Sequence, residues 1–202
     1  MQAGHRPMAD RVSWEAAVRH LYEDAYTFVA TGPRTQEDWA ADALAVMARA
    51  VPDPRGWSGH DDTAKDRSPE HPDFPFCFPA VRAEPSRPLT PTDIGERLHE
   101  INRASAENLL LALTDGGCTL QNLERFTESF DELQNMARTI LARYGDRFTC
   151  YTNVTVGARK DDTLDFAASH WGYTPMTFYW EDAGLVIASD TEVGVFWSFN
   201  AN

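Results

Sequence analysis

Between Tyr144 and Phe148 the hydrophobic period of this chain changes from one that suits a helix to one that suits a strand. Before the change, Leu123, Phe126, Phe130, Leu133, Ala137, Ile140 and Tyr144 recur at alternating spacings of 3 and 4, the stripe of an amphipathic helix. Acids Glu124, Glu128, Asp131 and Glu132 come early in that stretch and Arg138 and Arg143 late, as the helix dipole favours. Gly145 supplies the stop. After the change, Phe148, Cys150, Thr152, Val154 and Val156 alternate with Thr149, Tyr151, Asn153 and Thr155, which predicts a strand.

The same logic divides the rest of the chain. Ser13 can cap a helix whose apolar positions run from Trp14 through Val18, Leu21, Tyr22 and Ala25 to Phe28 and Val29, closed by the turn residues Thr31, Gly32 and Pro33. Thr35 can cap a second helix with Asp38 at its third position and Trp39, Ala43, Val46 and Met47 as its stripe. Thr90, Pro91 and Asp93 start a third, carried by Ile94, Leu98, Ile101, Leu109, Leu110 and Leu113. Thr163 to Trp171 suits a short helix. Strands are expected at 176–180, 185–189 and 192–199, joined by hairpin turns at 181–184 and at Asp190-Thr191. The expected fold class is α+β: N-terminal and central helices packed on a C-terminal antiparallel β-meander of about four strands.

One domain of 202 residues accommodates this order. It comprises a helical part at 8–51, a proline-rich segment at 52–91, a helical hairpin at 92–145 and the sheet at 146–202. Nine of the twelve prolines fall between Val51 and Pro91, which excludes long helices and interior strands there. The apolar run FPFCFPAV within it, with Cys77 as a small hydrophobe, predicts an ordered extended segment lying across the domain.

The chain carries 18 basic and 31 acidic residues, a net charge of −13. Such a surface is repelled by nucleic-acid phosphates and anionic lipid, so neither is an expected partner, whereas a basic protein is. Sixteen of the basic residues are Arg, a bias consistent with a GC-rich bacterial genome. Three scattered cysteines without CxxC spacing fit a reducing compartment. With no apolar run of membrane-spanning length, a cytoplasmic protein is expected.

Nucleotide-binding, zinc-protease and serine-hydrolase motifs are absent from the sequence. Gly59-His60-Asp61-Asp62 is similar to the His-Asp pair of metal phosphohydrolases, but it sits in a proline-bounded loop with His71 as its only nearby histidine. His20 and His99 fall in predicted helices and suit structural roles. His170, close to Asp161, Asp162 and Asp165, has the neighbours of a general base, whereas Ser169 gains nothing from adjacency. No catalytic residue, cofactor or metal is therefore assigned.

The C-terminal part carries the main functional expectation. From Asp161 to Asn202 there are seven acids and no Lys or Arg. One sheet face can pack on the helices. The other, with Tyr179, Val186 and Phe196, is expected either to lie under the proline-rich segment or to form an acid-rimmed binding surface. Asp161, Asp162, Glu181, Asp182, Asp190 and Glu192 are the candidates for steering a partner, and Tyr179, Phe196 and Trp197 for contacting it. The stretch WEDAGLVIASDTEVGVFW, in an acidic helix-then-sheet chain of this size, resembles small immunity proteins that neutralise secreted polymorphic toxins. That resemblance implies a protein that occludes a cognate basic toxin domain and does no catalysis of its own; a monomer or small homo-oligomer is expected. Two alternatives remain: a hydrolase-like enzyme with a pocket between sheet and proline-rich segment, and an oligomeric scaffold using the 123–144 stripe as its seam.

Overall fold

The computed structural model describes residues 9–61, 89–155, 162–167, 172–177 and 180–200. The expectations placed on 62–88, on Asp161, Ser169, His170 and on Tyr179 lie outside them. The architecture is α+β, as the change of period requires. The elements are α1 (Arg11–Tyr22), β1 (Thr27–Pro33), α2 (Trp39–Met47), β2 (His60–Asp61), α3 (Pro91–Arg97), β3 (His99–Ile101) and α4 (Arg103–Ala112). A 3-10 helix (Leu120–Arg125) precedes α5 (Phe130–Ala142), and β4 (Phe148–Thr152), β5 (Val154–Thr155), β6 (Gly172–Tyr173), β7 (Trp180–Ser189) and β8 (Glu192–Asn200) complete the chain.

Six strands form one sheet in the order β2-β1-β8-β7-β4-β3, every pairing antiparallel, and β5 and β6 make a small separate ladder. The sheet is therefore larger than a four-stranded C-terminal meander, because it recruits β1, β2 and β3 from the part read as helical. Residues 27–33 show why. The whole of β1, Thr27 to Pro33, pairs with Ser198 to Glu192 of β8. This sends Phe28 and Val29 to opposite faces, where a helix would have kept both on one side. Tertiary pairing overrides the helical period that continues from α1.

Helix ends follow local chemistry. The Asp10 carboxylate, not Ser13, caps α1, accepting from the Ser13 amide. Asp38 caps α2, while Thr35 donates from its amide and hydroxyl to the buried Asp42. Thr90 and Asp93 form a capping box as expected, but α3 stops at Arg97 and the chain turns through β3 before Asn102 caps α4. Ser129 and Glu132 form a second capping box, which starts α5 there and separates it from the 3-10 helix. Gly145 takes the left-handed conformation past its end, φ 79°. The described residues 162–167 form no helix.

Both faces of the sheet are covered. On one, Val29, Ile101, Cys150, Ala183, Leu185, Ile187 and Phe196 join α1, α4 and α5 in a core that includes Trp14, Leu109, Leu133 and Ile140. On the other, Phe28, Val186, Val193, Val195, Trp197 and Phe199 pack with Ala43, Val46 and Met47 of α2 and Ile94 of α3. The register pairs Val186 with Val195 and Leu185 with Phe196. Val186 and Phe196 therefore lie on opposite faces rather than sharing a second one. The result is a three-layer sandwich, and the second face is closed by α2 and α3. Among the described residues no helix is long and apolar enough to cross a membrane.

The turn expected at 181–184 is also absent. These residues run within β7, with a register shift between Trp180 and Ala183. Gly184 is needed for packing, since a Cβ there would collide with the Trp197 ring lying across it. The expected hairpin at Asp190-Thr191 is present.

Candidate functional site

With both sheet faces buried, the residues expected to meet a partner divide sharply. Asp182 is fully buried within β7. Its carboxylate accepts hydrogen bonds from the Met176 and Thr177 amides, the Thr177 hydroxyl and the Trp197 indole N–H. Burial pushes its carboxyl above the usual Asp range, and those donors pull it partly back. Asp182 thus ties the 172–177 segment to the sheet and offers no charge to a partner. Phe196 and Trp197 are likewise fully buried, one in each core, so neither is a contact residue. Glu181 lies in β7.

Glu192 is buried too, at the start of β8. It accepts from Arg143 (3.1 Å) and Arg55 (2.9 Å), and Asp53 lies 2.8 Å from Arg143. The Arg143 side chain is fully buried, with its guanidinium 4.8 Å from the Trp14 ring centroid and 4.7 Å from that of Trp57. Burial alone would lower its pKa, but the bonds to Asp53 and Glu192 outweigh it and hold the group charged. Asp190 and Asp162 are exposed. Asp190 pairs with Arg147 at 2.6 Å, so its charge is locally compensated. Asp162 has a left-handed backbone, φ 60°, and its carbonyl accepts from the Asn102 side chain.

The described histidines, His20, His60 and His99, lie far apart in the chain and on different elements. His60 lies in β2, paired with Val29, beside an Asp61 engaged by Arg49, so the His-Asp pair sits on a sheet edge rather than in a loop. His20 meets Glu128 at 3.1 Å. His99 lies in β3 rather than in a helix, and partial burial lowers its pKa. Among the described residues no group of three or more His, Cys, Asp or Glu side chains is placed to hold a metal ion.

Among the described residues, two surface grooves stand out. The first, about 480 Å³, lies where the 3-10 helix meets α5 and is lined by Leu120, Leu123, Phe130 and Leu133, with Glu124 and Glu128 among its walls. Phe130 is 45% exposed, one of three large apolar side chains so placed among the described residues. It is exposed because the Ser129 cap begins α5 at Phe130 and turns Leu133, Ala137 and Ile140 to the core instead. From Gly116 to Ala137 the chain carries four acids (Glu124, Glu128, Asp131, Glu132) and one base. That base, Arg125, donates to the Leu21 and Thr114 carbonyls and is held as a local cap. The groove is thus apolar with an acidic rim, Glu124 open to water and Glu128 meeting His20, the composition sought at the C-terminus but displaced to the α5 side.

The second groove, about 680 Å³, lies between the end of α5, the start of α4 and the β7–β8 hairpin, and five arginines line it: Arg55, Arg103, Arg138, Arg143 and Arg147. Arg55 of the proline-rich segment and Ser189, Asp190 and Thr191 of the β7–β8 hairpin both contribute to it, and the rest of that segment, where an enzyme pocket is expected, lies outside the described residues. Both grooves escaped the sequence reading for one reason. Glu124, Glu128, Arg138 and Arg143 were absorbed into the dipole pattern of one long helix. The Ser129-x-x-Glu132 capping box is the signal that would have broken that helix and freed its first half. No family model matches the chain, and neither a curated protein nor a solved structure matches it.

Proposed function

We propose that this chain is an acidic protein-binding inhibitor of the immunity type, which seats a basic toxin domain on the groove formed by the 3-10 helix and α5. The observation that carries this reading is the half-exposed Phe130 in an apolar groove whose ionisable rim is acidic. An aromatic anchor in an apolar recess supplies most of the affinity in such contacts, and rim charge speeds encounter with a partner of opposite sign. The net charge of −13 extends the same bias over the whole molecule. A cytoplasmic location and a bacterial source belong to this reading.

The scaffold alternative is disfavoured by α5, whose Leu133, Ala137 and Ile140 are committed to the core and leave no continuous seam. The test is co-expression with the product of the adjacent gene, followed by binding measurements on purified components. A basic partner should bind one-to-one, with affinity that falls as salt rises and falls at least tenfold in Phe130→Ala. An adjacent gene product that forms no complex, or one bound equally by wild type and Phe130→Ala, overturns the reading.

A further inference from the structure

We propose that the arginine-lined groove binds a small organic oxyanion, a carboxylate or phosphate ester, with Arg103 as its anchoring side chain. Four of the five guanidiniums in this groove are already hydrogen-bonded. Arg55 donates to Glu192 and the Arg143 carbonyl, Arg138 to Glu107, Gln134 and Asn135, Arg143 to Glu192 and Asp53, and Arg147 to Asp190. Arg103 is the exception. It makes no hydrogen bond among the described residues, although its side chain is only 34% exposed and its Nε is shut off from solvent. Among the described residues its carboxylate partner is Glu107, which lies 3.5 Å away and already accepts from Arg138 at 3.0 Å. The ring of Phe148, 5.1 Å below the guanidinium, holds it in place without offering an acceptor.

A guanidinium presents five donors in a fixed fork that matches the two oxygens of a carboxylate or phosphate. With its Nε buried and without a hydrogen bond, Arg103 has its terminal nitrogens left to meet a ligand beside a cavity of about 680 Å³. The surrounding acids set the size of the ligand. Glu107, Glu192 and Asp53 are drawn into internal ion pairs, and at the exposed rim Asp190 pairs with Arg147 while Asp146 adds a second carboxylate. They disfavour an extended polyanion and leave room for one compact anionic group. This site is distinct from the acid-rimmed groove and stands or falls independently of it.

Calorimetric titrations with inorganic phosphate, adenosine monophosphate and citrate, each at constant ionic strength set with chloride, test the proposal on the full chain. Saturable binding of at least one probe is expected. Response to the first two alone marks a phosphate site, and response to citrate alone a carboxylate site. Arg103→Gln should weaken binding at least tenfold. Arg103→Lys, which keeps the charge and loses the fork, should weaken it at least threefold and serves if the Gln variant fails to fold. Arg147→Gln at the rim should change it less than threefold. No saturable binding by any of the three probes, or wild-type affinity in a folded Arg103 variant, overturns the assignment.

Discussion

Arg143 and Glu192 meet 3.1 Å apart with both side chains out of water, joining the end of α5 to the start of β8. Asp53 and Arg55 extend the pair into a four-residue cluster, with the Trp14 and Trp57 rings against the Arg143 guanidinium. Ions this deep are stable only as a set, because each is costly to bury alone.

Removing one member should therefore do more damage than its own bonds suggest. Glu192→Gln is expected to lower unfolding free energy by about 3–5 kcal/mol, since Arg55 then loses its carboxylate partner and Arg143 keeps Asp53 alone. Urea denaturation monitored by tryptophan fluorescence measures this directly. A loss under about 1 kcal/mol, typical of surface pairs, would show that the cluster is not cooperative.

Asp182 provides a second check, on how the 172–177 segment is held. Asp182→Ala leaves the Met176 and Thr177 amides and the Trp197 indole N–H without their acceptor inside the fold. A loss of about 3 kcal/mol or more is expected, since each stranded buried donor costs about 1–3 kcal/mol. Hydrogen exchange at residues 174–177 should accelerate more than in α5. Uniform acceleration would mean that Asp182 supports global stability without pinning that segment.

Cys150 makes the pH dependence readable. It is buried in the sheet, and burial pushes its thiol up to about 12. The native state thus keeps a proton that the unfolded chain releases above pH about 8.5. The contribution is fully present below that pH and is lost as pH rises. Between pH 8.5 and 9.5 wild type should lose stability more steeply than Cys150→Ala, by at most about 1.4 kcal/mol per pH unit. Parallel slopes would place a thiolate-accepting environment around Cys150.

Much of this architecture was legible because local chemistry and tertiary context agree there. The Thr90–Asp93 cap, the Gly145 stop, the β4 alternation and the Asp190-Thr191 hairpin all act through residues within a few positions of one another. The failures occur where distant partners decide. Phe28 and Val29 continue a helical stripe and become strand because β8 pairs with them. Glu181-Asp182-Ala183-Gly184 has turn composition, yet its acid serves a segment that returns from 176–177 and its glycine makes room for Trp197. The candidate site misplaced its acids for the same reason: a carboxylate in sequence is silent about whether it faces water, as Glu124 does, or Arg143, as Glu192 does.

The acid-rimmed groove is the surface proposed to meet a basic protein. The most direct measurement is the affinity of the purified complex for wild type, Phe130→Ala and the charge reversal Glu124→Lys, each at low and high salt. Phe130→Ala should raise the dissociation rate at least tenfold at either salt. Glu124→Lys should slow association at low salt and lose most of that effect at high salt, as rim charges do. Unchanged rates in both folded variants would contradict the assignment of this groove.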